Sequence, residues 1–168
     1  DPYDWVIPGL LERSDRMILT GAEGLGKTVL VRMLAICAAA GAHPFNGSRF
    51  APQRVLFIDC ENSARQTRRS MRSMAARADQ LSSGAADRMF IENRPEGINL
   101  SKQVDEAWFM RVVQHVQPSI IFTGSLYKIQ SGNAPNDEEA ASRVIAALDR
   151  IRTSADAALV IEAHAGKS

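Results

Sequence analysis

Short apolar runs alternate along this chain with longer stretches whose apolar residues recur at helical spacing. The runs are residues 17–20, 54–59, 119–123 and 158–161, with Met89-Phe90-Ile91 as a shorter one. Unbroken runs of Ile, Val, Leu and Phe fit parallel strands buried on both faces. Between them lie residues 27–40, rich in Leu, Met, Ala and Val and free of Gly and Pro, then residues 64–78 and 105–117. A fourth helical stretch runs from 136 to about 153. Gly41 stops the first in the manner of a C′ glycine, Ser82-Ser83-Gly84 breaks the second, and Pro118 follows the third. Asn136 can cap the fourth, with Glu139 at N3 and with Asp137 and Glu138 at its positive end. Ahead of all this, residues 4–10 form a lead-in that turns at Pro8-Gly9.

Strands alternating with helices imply a mostly parallel β-sheet sandwiched by helices, an α/β fold. Ligands of such sheets bind at the carboxyl ends of the strands. Four loops are therefore expected to converge there: residues 21–28, 59–62, 123–130 and 162–167.

Composition narrows the picture modestly. The 168 residues suit a single domain spanning 1–168, with 45% hydrophobic and 23% charged residues. A net charge of +1 gives no global attraction to polyanions, so a nucleic-acid site would have to be local. No apolar run approaches the roughly 20 residues of a membrane helix, so no membrane partner is expected. Cys37 and Cys60 read as buried reduced thiols in a cytoplasmic setting, and no Cys/His cluster has zinc spacing.

The first loop carries the most specific chemistry. Gly21-Ala22-Glu23-Gly24-Leu25-Gly26-Lys27-Thr28 matches G-x-x-x-x-G-K-[ST], with a strand before it and a helix after it. Its glycines let backbone N–H groups approach phosphate oxygens, and the helix adds its positive end. Lys27 can reach the β- and γ-phosphates, and the Thr28 hydroxyl can ligate Mg²⁺. ATP and Mg²⁺ are the ligands this implies. Glu61, just past the second strand, is placed either to direct a water at the γ-phosphate or to sit as a solvated loop acid.

Nearly the whole chain resembles the RecA-like P-loop ATPases, most closely the RepA/DnaB-type replicative helicases and their phage relatives. The residues that carry the likeness are 5–10, 55–61, 97–100, 136–139 and 164–167, in family-like order around the P-loop. The resemblance implies a RecA-like motor in which Glu61 is the general base. It makes His164 a γ-phosphate sensor, with a strand-end structural histidine as the alternative. Lys167 becomes either a finger toward a neighbouring subunit's nucleotide or a surface lysine. Among Arg65, Arg68, Arg69 and Arg72, Arg69 is the first choice to pack on adenine and Arg68 the second, against a plain solvated face. The family also implies single-stranded DNA and a homo-hexamer as partners. The loop 128–135, which touches DNA in such proteins, here has one Lys and no aromatic. Such domains usually continue past the His164 strand, so the chain reads as one cut short at its C-terminus.

One position departs from the family. Where its third motif ends a strand in a Mg²⁺-holding Asp, this chain has Gly124, in Ile120-Ile121-Phe122-Thr123-Gly124-Ser125-Leu126-Tyr127, and no carboxylate lies between 119 and 133. Asp59, Thr123 or Ser125 could assist the metal through water. A nucleotide-binding regulatory or assembly module with weak turnover is the alternative function this substitution favours.

Overall fold

The computed structural model describes residues 2–129 and 138–164. A short antiparallel hairpin, β1 (Trp5–Ile7) and β2 (Leu11–Glu12), turns through Gly9 at φ 69°. It leads into a five-stranded sheet of β3 (Arg16–Gly21), β4 (Val55–Asp59), β5 (Met89–Asn93), β6 (Ile120–Ser125) and β7 (Ala158–His164). The order is β3-β7-β6-β4-β5, and every neighbouring pair is parallel. The α/β architecture expected of a RecA-like P-loop domain is therefore the one observed.

Alternate strand positions serve two cores, as the pleat requires. Leu56, Ile58, Ile121, Leu159 and Ile161 pack on α3 (Gln103–Val116), α4 (Leu126–Ile129) and α5 (Glu138–Ser154) through residues such as Phe109, Val113, Ile129, Leu148 and Ile151. Val55, Phe57, Ile120, Phe122 and Val160 pack on α1 (Lys27–Ala40) and the hairpin through Val31, Leu34, Ala35 and Val6. A third cluster joins α1 to α2 (Ala64–Leu81) through Ile36, Ala40, Met71 and Ala78. Ser63 and Gln66 form a reciprocal capping box at the start of α2.

Helix α1 occupies the expected residues, and Gly41 ends it in the left-handed region at φ 63°. A Cβ there would lie 2.4 Å from the carbonyl oxygen of Phe50, so both space and φ demand glycine.

Several expectations are corrected. The strand before the P-loop is not buried on both faces: among the described residues β3 pairs only with β7, and Ile18 is 46% exposed. Strand order, which no local pattern encodes, puts it at the sheet edge. Helix α2 runs three residues beyond 78. Strand β6 continues through Gly124 to Ser125, and the single turn α4 follows it at once. Strand β7 runs past Ile161 to His164, so Glu162 belongs to a strand and not to a loop. The expected cap Asn136 lies outside the described residues, so that reading stands untested, and α5 is described from Glu138.

Candidate functional site

The loop between β3 and α1 is built from left-handed glycines. Gly24 has φ 82° and Gly26 φ 79°, and a Cβ on either would meet no atom within 4 Å. The constraint there is conformational rather than steric. Gly26 is the N-cap of α1, no side chain caps the helix, and its first turn holds no acid. The leading N–H groups of α1 thus lack the usual side-chain acceptor and carry the positive end of the helix dipole. Lys27 is nearly buried and donates from Nζ to the carbonyl oxygens of Gly21 and Ala22, each at 2.8 Å. Those bonds hold its ammonium across the mouth of the loop.

The turn after β4 is organised by Asp59, which is 4% exposed. Its Oδ1 accepts from the backbone N–H of Glu61 at 3.1 Å and of Asn62 at 3.0 Å, and its Oδ2 accepts from Thr67 Oγ1 at 2.7 Å. Asn62 Nδ2 donates to both oxygens, and Arg32 of α1 forms a buried ion pair with Oδ2 at 3.4 Å. Burial pushes the Asp59 carboxyl pKa up, but the hydrogen bonds from Thr67, Glu61 and Asn62 outweigh it and hold the group below the ordinary value. With both oxygens committed, Asp59 is a scaffold residue and has no free lone pair to offer a metal's water, contrary to one expectation above. Asn93, its register partner on β5, extends the network by donating to Thr67 Oγ1 at 2.8 Å and to the carbonyl of Asn62 at 3.0 Å. What this scaffold presents is Glu61, whose side chain is exposed and forms no hydrogen bond or ion pair among the described residues.

A residue that the sequence reading missed sits beside Thr28. Glu162 on β7 is 4% exposed, and Thr28 Oγ1 donates to its carboxylate at 3.0 Å to Oε1 and 3.2 Å to Oε2. Thr28 and Arg32 are four residues apart and share a face of α1. One reaches β7 at Glu162 and the other reaches β4 at Asp59. Helix α1 therefore straddles β6, the strand between them, and Gly124 lies near the end of that strand.

The pairing of β6 with β7 slips between Thr123 and Ser125, so that Ser125, not Gly124, stands opposite Glu162. Gly124 is the extra residue of a bulge, and a Cβ on it would lie 3.5 Å from the carbonyl oxygen of Ile58 in β4 and from the backbone nitrogen of Cys60 just after it. Ser125 and Thr123 are both fully buried, and neither hydroxyl has a partner among the described residues. Thr123 is in register with Ile58 and Ile161, which belong to the α3–α5 core, so it faces away from Thr28. It drops out as a metal helper, while Ser125 remains beside Glu162.

The backbone of His164 ends β7 in register with Gly21, the first residue of the loop. Lys167 and most of the 128–135 segment fall outside the described residues. Arg65, Arg68, Arg69 and Arg72 all lie exposed on α2, and Arg69 makes no hydrogen bond or ion pair among the described residues. Cys37 and Cys60 are free thiols; Cys60 is buried as expected, whereas Cys37 is only half-buried. Burial, with the nearby charges of Asp59 and Glu61, pushes the Cys60 thiol up to about 12. No helix among the described residues is long and apolar enough to cross a membrane.

No curated protein matches this chain by sequence. A family model described as an AAA domain matches residues 1–168. The chain belongs to that family and is a nucleotide-binding P-loop domain of the ATPase type.

Proposed function

We propose that this domain binds ATP with Mg²⁺ and hydrolyses it, as the motor of a DNA replication or recombination helicase. The observation that carries the reading is the pairing of two devices on one helix. Helix α1 begins at an uncapped glycine loop suited to phosphates, and through Arg32 it anchors the turn that presents Glu61. Backbone N–H groups of residues 24–28 cradle the phosphates, and Lys27 trades its carbonyl partners for β- and γ-phosphate oxygens. Glu61 orients a water in line with the γ-phosphate and takes its proton.

The residues also fit a hard divalent ion. Among the described residues no group of three or more His, Cys, Asp or Glu gathers, so no all-protein cage exists. Mg²⁺ instead suits a hydroxyl, a carboxylate, phosphate oxygens and retained waters. Thr28 would hold it, and the ion would neutralise charge developing on the transferred phosphoryl group. By resemblance, Arg69 packs on adenine, His164 reads the γ-phosphate, and subunits meet as a hexamer around single-stranded DNA.

ATP turnover with and without single-stranded DNA tests the reading. DNA-stimulated hydrolysis is expected, and Glu61→Gln should cut it by about 10²- to 10⁴-fold while ATP still binds. Tight ATP binding with no turnover under any DNA condition would contradict the motor. It would favour a regulatory or assembly module instead, the reading that Gly124 supports.

A further inference from the structure

We infer that Glu162 supplies the metal-site carboxylate that position 124 lacks, so that Mg²⁺ is held by Thr28 and Glu162 across adjacent elements. This rests on the reading that the loop takes Mg²⁺-bound nucleotide.

Glu162 is a buried acid on an inner strand of the sheet, and a buried ionised carboxylate is costly unless compensated. Among the described residues its two oxygens share one donor, the hydroxyl of Thr28. A carboxylate has about four acceptor sites, so most of its capacity is unspent. Asp59, the other buried acid at this end of the sheet, shows the contrast, with donors on both oxygens and an arginine beside it. Asp59 is satisfied by protein, whereas Glu162 has no cationic partner among the described residues.

The neighbours of Glu162 point the same way. Its partner Thr28 is the hydroxyl that the loop motif offers to Mg²⁺. By donating its proton to Glu162, Thr28 turns its own lone pairs outward, toward a cation. The bulge at Gly124 sets Ser125 in register with Glu162, and the Ser125 hydroxyl is fully buried with no partner among the described residues. Two hydroxyls and one carboxylate are hard oxygen donors, the set that Mg²⁺ selects together with phosphates and waters. The acid has thus moved one strand over, from the end of β6 to the adjoining β7, while the helix it serves is unchanged.

The test separates this claim from the reading beneath it. ADP affinity is measured by calorimetry with Mg²⁺ and with EDTA, for wild type and for Glu162→Gln, which keeps the shape and an acceptor for Thr28. Wild type should bind ADP more tightly with Mg²⁺. Glu162→Gln should leave the EDTA affinity in place and remove about 10- to 100-fold of the Mg²⁺ enhancement. Mn²⁺ resonance spectra provide a second measurement, made on a variant that keeps the carboxylate. The protein·ADP·Mn²⁺ spectrum of wild type should differ from that of ADP·Mn²⁺ alone, and Glu162→Asp should shift it. An enhancement unchanged in Glu162→Gln, or a Mn²⁺ spectrum insensitive to Glu162→Asp, overturns the assignment. Absence of ADP binding by wild type in either buffer overturns the nucleotide reading itself, and the assignment with it.

Discussion

Arg32 and Asp59 form a buried ion pair, 3.4 Å from Nη2 to Oδ2, that ties the second turn of α1 to the end of β4. Both side chains are at most 10% exposed, so neither charge is solvated if its partner is lost. Removing one member of such a pair costs roughly 3–5 kcal/mol, mostly the penalty of the stranded charge. Asp59→Ala should lower unfolding stability by about that amount in urea titration, and the turn bearing Glu61 should loosen with it.

The same carboxylate gives an acid limb to stability. Its folded pKa lies below the ordinary aspartate value, so the unfolded chain binds its proton first as pH falls. The contribution is complete above that value and is lost as pH drops through the folded pKa. Stability measured between pH 6 and pH 3 should therefore fall most steeply below about pH 4. Asp59→Asn should flatten that part of the curve. An identical acid slope in the variant would show that other carboxylates dominate.

Gly41 offers a purely steric prediction. Its φ of 63° and the 2.4 Å approach of the Phe50 carbonyl leave no room for a methyl group. Gly41→Ala should destabilise the fold by roughly 1–3 kcal/mol, seen as a lower thermal midpoint, with ATP affinity little changed.

Arg69 separates binding from structure. Exposed and without a protein partner among the described residues, it should be replaceable by Ala with less than about 0.5 kcal/mol lost in stability. If it packs on adenine, the same variant should bind ATP more weakly while its affinity for inorganic tripolyphosphate stays as in wild type.

How much of this was legible in the sequence follows from what local patterns encode. The loop 21–28, helix α1 and strand β4 were readable because fixed residues, an unbroken apolar run and a terminating Gly41 coincide in a short window. The edge position of β3 was not, because pairing is a long-range property. Glu162 was missed because the apolar run ends at Ile161, and a charge after such a run reads as the start of a loop. Only the fold brings Thr28 alongside it, across 134 positions. Asp59 was visible as a polar strand end, but its five donors come from Arg32, Glu61, Asn62 and Thr67, and only the folded turn assembles them.

The central claim is that the loop opening α1 is a nucleotide site worked by Lys27. Calorimetric titration of ATP in Mg²⁺ buffer, wild type against Lys27→Ala, tests it most directly. Charge-assisted bonds to phosphate are worth about 1.5–3 kcal/mol, so the variant should bind roughly 10- to 100-fold more weakly while its melting curve stays cooperative. Equal ATP affinity in the two proteins would contradict the account.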